Sequence, residues 1–321
     1  MAIDFAENPR RAHSLFWRIL FLVPVAILRL VARIQGRKPI PGVHYEELTI
    51  PSREPGRTIK AVRYRQSRNA NLGSSVPRNV HLNWHGSGWV VYHFGSDHAF
   101  AGEVAKALDI DFYDLDYRKS PEHPFPAAQE DVEDALLYFA NLDSVRSISV
   151  SGFSAGANMA VTGPNHIRKK LTQSKISELS SISLVYPPTA WDAPRIPPSK
   201  NTSGGGFPLP WLVKRLFNAC MSVAAESFAT KRFRTAEYDV DEILSKNLLV
   251  VSGTADTLYT EAAEFVKMLQ GKGHPNANFL SIANAGHSFD KKPKTELARQ
   301  NTKRTYDAII ENIRRGLEST S

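Results

Sequence analysis

The stretch Ser147-Ile-Ser-Val-Ser-Gly-Phe-Ser-Ala-Gly-Ala-Asn-Met-Ala160 decides how the chain is read. Ile148 and Val150 alternate with small polar residues, as at the end of a short buried strand. Gly152-Phe153-Ser154-Ala155-Gly156 follows, and then an Ala- and Met-bearing run that suits a helix. Strand, tight turn and helix with a serine at the apex make a nucleophile elbow of the G-x-S-x-G type. The glycines have a steric purpose. A serine on so sharp a turn takes a strained backbone conformation, and side chains at 152 or 156 would collide with the neighbouring strand or helix. The turn lifts the Ser154 hydroxyl clear of the sheet and aims the unpaired N–H groups of the helix start at any anion formed there. The pentapeptide also arises by chance, so its surroundings decide.

Upstream of the elbow, residues 79–84 read as a strand that runs into His85-Gly86-Ser87-Gly88-Trp89. There a glycine pair leaves backbone N–H groups bare and able to approach a ligand. Residues 97–108 read as helix, 110–115 as strand and 117–128 as a proline-stiffened loop. The segment 130–141 carries Val132, Ala135, Leu136 and Phe139 at helical spacing. This β-α-β-α-β order predicts the α/β class, a mostly parallel sheet with helices on both faces. Before it, 45–50 and 58–64 alternate in polarity around the turn at 51–56, which predicts an antiparallel hairpin.

Downstream, 182–186, 248–252 and 278–282 read as strands, and 261–270 and 296–315 as helices. Residues 187–235 break the rhythm with a Pro-rich run, Asn201-Thr-Ser-Gly-Gly-Gly-Phe-Pro-Leu-Pro210 and an amphipathic helix at 211–220. They read as an insertion over the C-terminal edge of the sheet. An elbow serine on such a sheet needs a carboxylate and a histidine base, in the chain order Ser, Asp/Glu, His. Leu249-Val-Val-Ser-Gly-Thr-Ala-Asp256 puts an aspartate just past a buried strand, and Phe279-Leu-Ser-Ile-Ala-Asn-Ala-Gly-His287 puts a histidine after the next one. Both lie where α/β sheets bind ligands. Alone, Asp256 would serve as a helix cap and His287 as a surface residue. Together with Ser154 they point to a catalytic triad.

These motifs resemble the hormone-sensitive-lipase family of α/β-hydrolases from about residue 80 onward. The family's H-G-G-G element corresponds to His85-Gly86-Ser87-Gly88, its Y-R-L-A-P-E-H-P-F-P-A-A loop to residues 117–128, and its G-D-S-A-G elbow to residues 152–156. Its D-x-L and H-G-F elements correspond to Asp256-Thr257-Leu258 and His287-Ser288-Phe289. The resemblance implies an α/β-hydrolase fold with a helical cap formed by residues 1–44 and by 187–235, on a catalytic body spanning 45–321. It implies a serine carboxylic ester hydrolase acting on small or medium acyl substrates without a metal or cofactor. Ser154, Asp256 and His287 would be catalytic. The N–H groups of Ser87, Gly88 and Ala155 would form the oxyanion hole, with Gly86 in support. Trp89, Phe153 and Trp211 are candidates for the pocket lining, with core packing as the competing reading. Three residues depart from the family pattern: Ser87 and Ser288 stand for glycines, and Phe153 for the acidic residue beside the nucleophile. None removes a reacting group. Ser87 would either narrow the acyl pocket or donate its hydroxyl. Acyl transfer or lactone chemistry on a specialised metabolite uses the same acyl-serine, and a non-catalytic ligand-binding module is disfavoured by the presence of His287.

With 321 residues, 42% hydrophobic and 22% charged, the chain has the composition of a globular protein with a sizeable core. The single cysteine, Cys220, excludes an intramolecular disulfide and fits a cytoplasmic location. The net charge of +8 comes from scattered basic pairs, without the long run or interleaved aromatics of a nucleic-acid groove. Residues 14–34 are the most apolar stretch, yet the uncharged run 19–28 is ten residues long, against the ~20 needed to cross a bilayer. Pro24 would interrupt a helix there. A lid over the active site is the favoured reading, and a peripheral membrane contact through residues 15–34, with Arg18, Arg29 and Arg33 at the headgroups, is the alternative. A homodimer is a further expectation.

Overall fold

A computed structural model describes residues 25–27, 29–30, 37–71, 76–190, 235 and 238–319. Eight strands form one sheet: β1 (Val43–Pro51), β2 (Thr58–Gln66), β3 (Arg78–Trp84), β4 (Asp111–Leu115), β5 (Val145–Phe153), β6 (Ile182–Val185), β7 (Leu248–Gly253) and β8 (Ala277–Ile282). Their order is β1-β2-β4-β3-β5-β6-β7-β8. The expected hairpin is present, with Val43 opposite Gln66 and Pro51 opposite Thr58, and β2 joins β4 antiparallel. All later pairings are parallel. The helices are α1 (His98–Ala107), α2 (Ala127–Ala140), α3 (Ala155–His166), the short α4 (Arg168–Leu171), α5 (Tyr259–Gly271) and α6 (Glu296–Glu318).

Strand residues point alternately to the two faces, and each face has its own apolar cluster. Ile148, Val150, Leu184 and Val250 pack with residues of α2, α3 and α5. Val62, Phe112, Phe153, Val185 and Val251 pack with α1 and α6. The small polar residues of β5 are not solvent-facing. Ser149 and Ser151 lie 2.7 Å from the two ring nitrogens of buried His81 on the adjacent strand, and Ser151 also donates to Asn83 Oδ1 at 2.7 Å. Burial lowers the pKa of His81 to about 3, so the ring is neutral. Its Nε2–H donates to Ser151, and Nδ1 accepts from Ser149.

Two helix boundaries differ from the sequence expectation by three residues. Helix α2 starts at Ala127, because the alanines closing the proline loop are buried and form its first turn. Helix α6 passes through Gly316, where a helix stop was expected. A Cβ there would lie 2.4 Å from the Ser180 carbonyl oxygen, so the glycine permits close packing and does not end the helix.

Most of the insertion, including Trp211, lies outside the described residues, but its two ends are defined. Thr235 N donates to Thr189 O at 3.1 Å, and Thr189 is held by Glu261 of α5 through bonds of 2.9 Å. The chain therefore leaves and re-enters the body at one point beside α3, whose Asn158 donates to Pro188 O at 2.9 Å. Of the N-terminal apolar stretch, only Val25–Ile27, Arg29 and Leu30 are described, all helical. Among the described residues, no helix is long and apolar enough to cross a membrane.

Candidate active site

Ser154 joins β5 to α3 with φ 52° and ψ −117°. A positive φ on a non-glycine residue costs roughly 1–3 kcal/mol and persists only where the surroundings enforce it. Ser154 N donates to Val185 O at 2.9 Å, and Asn158 N donates to Ser154 O at 3.1 Å. A Cβ on Gly152 would lie 2.3 Å from the Gly156 carbonyl carbon, and one on Gly156 would lie 1.9 Å from the Trp84 oxygen. The helix start is thus pressed against both strands, which explains the two glycines.

His287, on the loop after β8, places Nε2 3.0 Å from Ser154 Oγ and Nδ1 2.8 Å from Asp256 Oδ2. The second Asp256 oxygen accepts from Leu258 N at 2.9 Å. The aspartate therefore orders the turn before α5 and orients the imidazole at once. Its carboxylate accepts a hydrogen bond from Nδ1–H, leaving Nε2 free to accept from the serine hydroxyl. Tyr186, at the end of β6, packs its ring 4.7 Å from the imidazole centroid.

The strand β3 feeds the loop carrying Gly86, Ser87 and Gly88. A Cβ on Gly86 would lie 3.3 Å from Ser154 Cβ, so this loop runs alongside the nucleophile. No hydrogen bond links the N–H groups of Ser87, Gly88 or Ala155 to a described residue. The Ser87 hydroxyl is committed elsewhere. It donates to Tyr117 Oη at 2.6 Å, and Tyr117 Oη donates to His85 O at 2.7 Å. Burial and the nearby Lys119 ammonium lower the pKa of His85 well below its ordinary value, and the neutral ring stacks on Tyr117 at 4.7 Å. From the N-terminal segment, Arg29 donates to Val90 O at 2.9 Å and Ser120 O at 3.0 Å, and pairs with Glu122 at 2.6 Å.

The profile of a family described as having an alpha/beta hydrolase fold matches residues 81–291, more than half of the chain. This chain belongs to that family. Its motifs place it with the hormone-sensitive-lipase-like α/β-hydrolases. A carboxylic ester hydrolase LipN of Mycobacterium tuberculosis is 27% identical over 256 residues, 73% of this chain and 62% of that protein. An arylacetamide deacetylase of Oryctolagus cuniculus is 36% identical over 32% of this chain and 28% of its own length. The chain thus spans less than two thirds of either curated relative. A solved esterase of Pseudomonas putida superposes with a TM-score of 0.70 at 18% identity, covering 98% of this chain and 92% of that one. A Pyrobaculum calidifontis esterase gives 0.69 at 21% identity, covering 100% and 99%. At such identities the likeness concerns the fold.

Within this α/β-hydrolase, two expected pocket residues lie elsewhere. Phe153 is fully buried in the cluster shared by α1 and α6, its ring 5.2 Å from Phe100, because strand alternation turns it away from the serine side. Trp89 is buried in the opposite cluster, with its backbone at φ 59°. Tyr117, Tyr186 and Arg29 are the site residues that sequence reasoning missed as partners. By sequence Tyr117 is a loop residue and Tyr186 a strand residue, with no local signal of these contacts. Among the described residues, no cluster of three or more His, Cys, Asp or Glu side chains is placed to hold a metal.

Proposed function

We propose that the protein is a serine carboxylic ester hydrolase that works through an acyl-serine on small or medium acyl esters. The observation that carries this is the line from Asp256 through His287 to Ser154, with links of 2.8 and 3.0 Å, ending on a serine at φ 52°. A serine hydroxyl is a weak nucleophile at neutral pH, so His287 takes its proton as Oγ attacks the ester carbonyl. Asp256 keeps the tautomer and stabilises the imidazolium. The tetrahedral oxyanion is met by the N–H groups of Ser87, Gly88 and Ala155, each such donor being worth ~3–4 kcal/mol. His287 then protonates the leaving alcohol, and water activated by the same base releases the acid.

A cap formed by the N-terminal segment and residues 187–235 closes over this centre. The pinched ends at Thr189 and Thr235 support it, as does the seating of Arg29 on the oxyanion loop. The Arg29 side chain keeps only 12% of its surface exposed and pairs with Glu122, which favours the lid over a headgroup anchor. The test is hydrolysis of p-nitrophenyl esters from acetate to palmitate, with purified Ser154→Ala as the blank. Turnover that peaks at short or medium chains and vanishes in the folded variant is expected. Turnover retained in that variant overturns the assignment.

A further inference from the structure

Four residues beyond the base, Lys291 carries an ammonium that no step above uses. Its Nζ lies 2.7 Å from Asp97 Oδ1 and 2.9 Å from Asp290 Oδ2, and 3.3 Å from the centroid of the Phe153 ring. An ammonium has three protons to place. Two carboxylates and the face of the residue preceding the nucleophile account for all of them. Both carboxylates are buried, and burying charges carries a heavy desolvation cost unless each is well paired. A sequence that merely needed core stability would place apolar residues here.

The partners lead to each part of the active centre. Asp97 accepts from Asn83 Nδ2 at 2.8 Å and from Ser96 Oγ at 2.9 Å, so it grips both ends of the loop that holds the oxyanion donors. Phe153 is bonded directly to Ser154. Asp290 accepts from Tyr186 Oη at 2.7 Å and from Tyr306 Oη at 3.2 Å, and the Tyr186 ring rests on His287. Lys291 is also tied back to the base loop, its N–H donating to Ser288 O at 3.2 Å.

We propose that Lys291 is a positioning residue for catalysis, its ammonium locking the oxyanion loop, the nucleophile elbow and the base loop into one block. This rests on the serine-hydrolase reading above. Tyr186 transmits the constraint to His287. With its hydroxyl held by Asp290, the ring cannot slide along the imidazole, so the base keeps its line to Ser154 through both proton transfers. An interaction that fixes geometry in the transition state lowers kcat and kcat/KM together when it is removed, and leaves KM unchanged.

The experiment compares wild type, Lys291→Met, Lys291→Arg and Asp290→Asn with a p-nitrophenyl ester. Active sites are counted by stoichiometric labelling with a fluorophosphonate, and Tm is measured alongside. Per labelled site, Lys291→Met is expected to lose at least tenfold in kcat with KM within threefold. Lys291→Arg, which restores a cation able to meet both carboxylates, is expected to recover most of that loss. Asp290→Asn keeps the shape but loses the charge on the Tyr186 hydroxyl, and is expected to fall between them. A Lys291→Met enzyme with lowered Tm but wild-type kcat per site overturns the inference, leaving the cluster a structural one. Should that variant not fold, wild-type kcat in Asp290→Asn overturns it equally. An inactive wild type, by contrast, would strike at the hydrolase reading itself.

Discussion

The Tyr117 hydroxyl joins both ends of the His85–Ser87 turn, and removing it gives a calculable result. Tyr117 Oη donates to the His85 carbonyl at 2.7 Å and accepts from Ser87 Oγ at 2.6 Å, and all three residues are buried. In Tyr117→Phe both groups lose their partner. Leaving a buried polar group unsatisfied costs ~1–3 kcal/mol, so with two such groups the variant should lose about 2–6 kcal/mol of stability. Ser87→Gly, which puts back the residue typical of the family, removes one of the two orphaned groups in advance. On that background Tyr117→Phe should cost about half as much, giving a coupling of ~1–3 kcal/mol. The loop also carries the Ser87 and Gly88 N–H groups. Losing one such donor outright is worth ~3–4 kcal/mol, which sets the ceiling for a loop that merely loosens. A fall in kcat of about ten- to hundredfold is expected for Tyr117→Phe, each decade being ~1.4 kcal/mol. Urea unfolding of the four proteins in the cycle measures the coupling, and initial rates on a p-nitrophenyl ester measure the catalytic part. Additivity within ~0.3 kcal/mol, with kcat unchanged in Tyr117→Phe, would show that the oxyanion loop does not lean on this tyrosine.

Two further outcomes follow from the same geometry. Asp256→Asn keeps the acceptor for Leu258 N but presents the wrong partner to His287 Nδ1. It should fold normally while kcat falls by ~10⁴, and a loss under tenfold would remove Asp256 from its role. Asp114 is fully buried and accepts from Asn83 Nδ2 at 3.3 Å. Burial, then the neighbouring Asp97 charge, raise its pKa from 3.8 to about 8. A raised carboxyl holds its proton in the folded state where the unfolded chain has lost it, so its contribution is full below the lower value and is lost as pH rises to the upper one. Asp114→Asn should therefore gain in Tm over wild type between pH 5 and 8, by at least ~2–4 °C, and the gap should level off above pH 8. A gap that does not change with pH across that window contradicts the assignment.

What the sequence carried plainly was local. The elbow, the strand-and-helix alternation and the hairpin each rest on a few consecutive residues whose chemistry admits few conformations. Gly152 and Gly156 are legible because only a steric demand explains them. The order Ser, Asp, His is legible because parallel strands bring their C-terminal ends together, so residues 133 positions apart in the chain can be expected to meet. Aromatic residues gave a poorer signal. Trp89 and Phe153 suit a pocket and a core equally by composition, and only the fold sends them into the core, Phe153 through the pleat of β5 and Trp89 through a turn after β3 at φ 59°. Gly316 misled for a related reason, since its neighbour Ser180 is remote in sequence.

The polar residues beneath the sheet were the least legible, and Phe153 shows why. Read alone, an aromatic in place of the family's acidic residue removes a charge from the elbow. In the fold a charge is still present beneath that position, now contributed by Lys291 from another segment and lying against the ring face. An ammonium could not sit there without counter-charges, and Asp97 provides one from a further segment while Asp290 provides the other from the adjacent position in the chain. Each of these residues is unremarkable by its own neighbours: Asp97 looks like a helix cap, and Lys291 like half of an exposed Lys291-Lys292 pair. Their meaning is a property of three segments at once. Buried polar clusters are constrained jointly, because a single unpaired member leaves the others uncompensated. Exchange of Phe153 for an acidic residue in this chain would therefore not recreate the family's elbow. It would set a third carboxylate against a cation already shared by two.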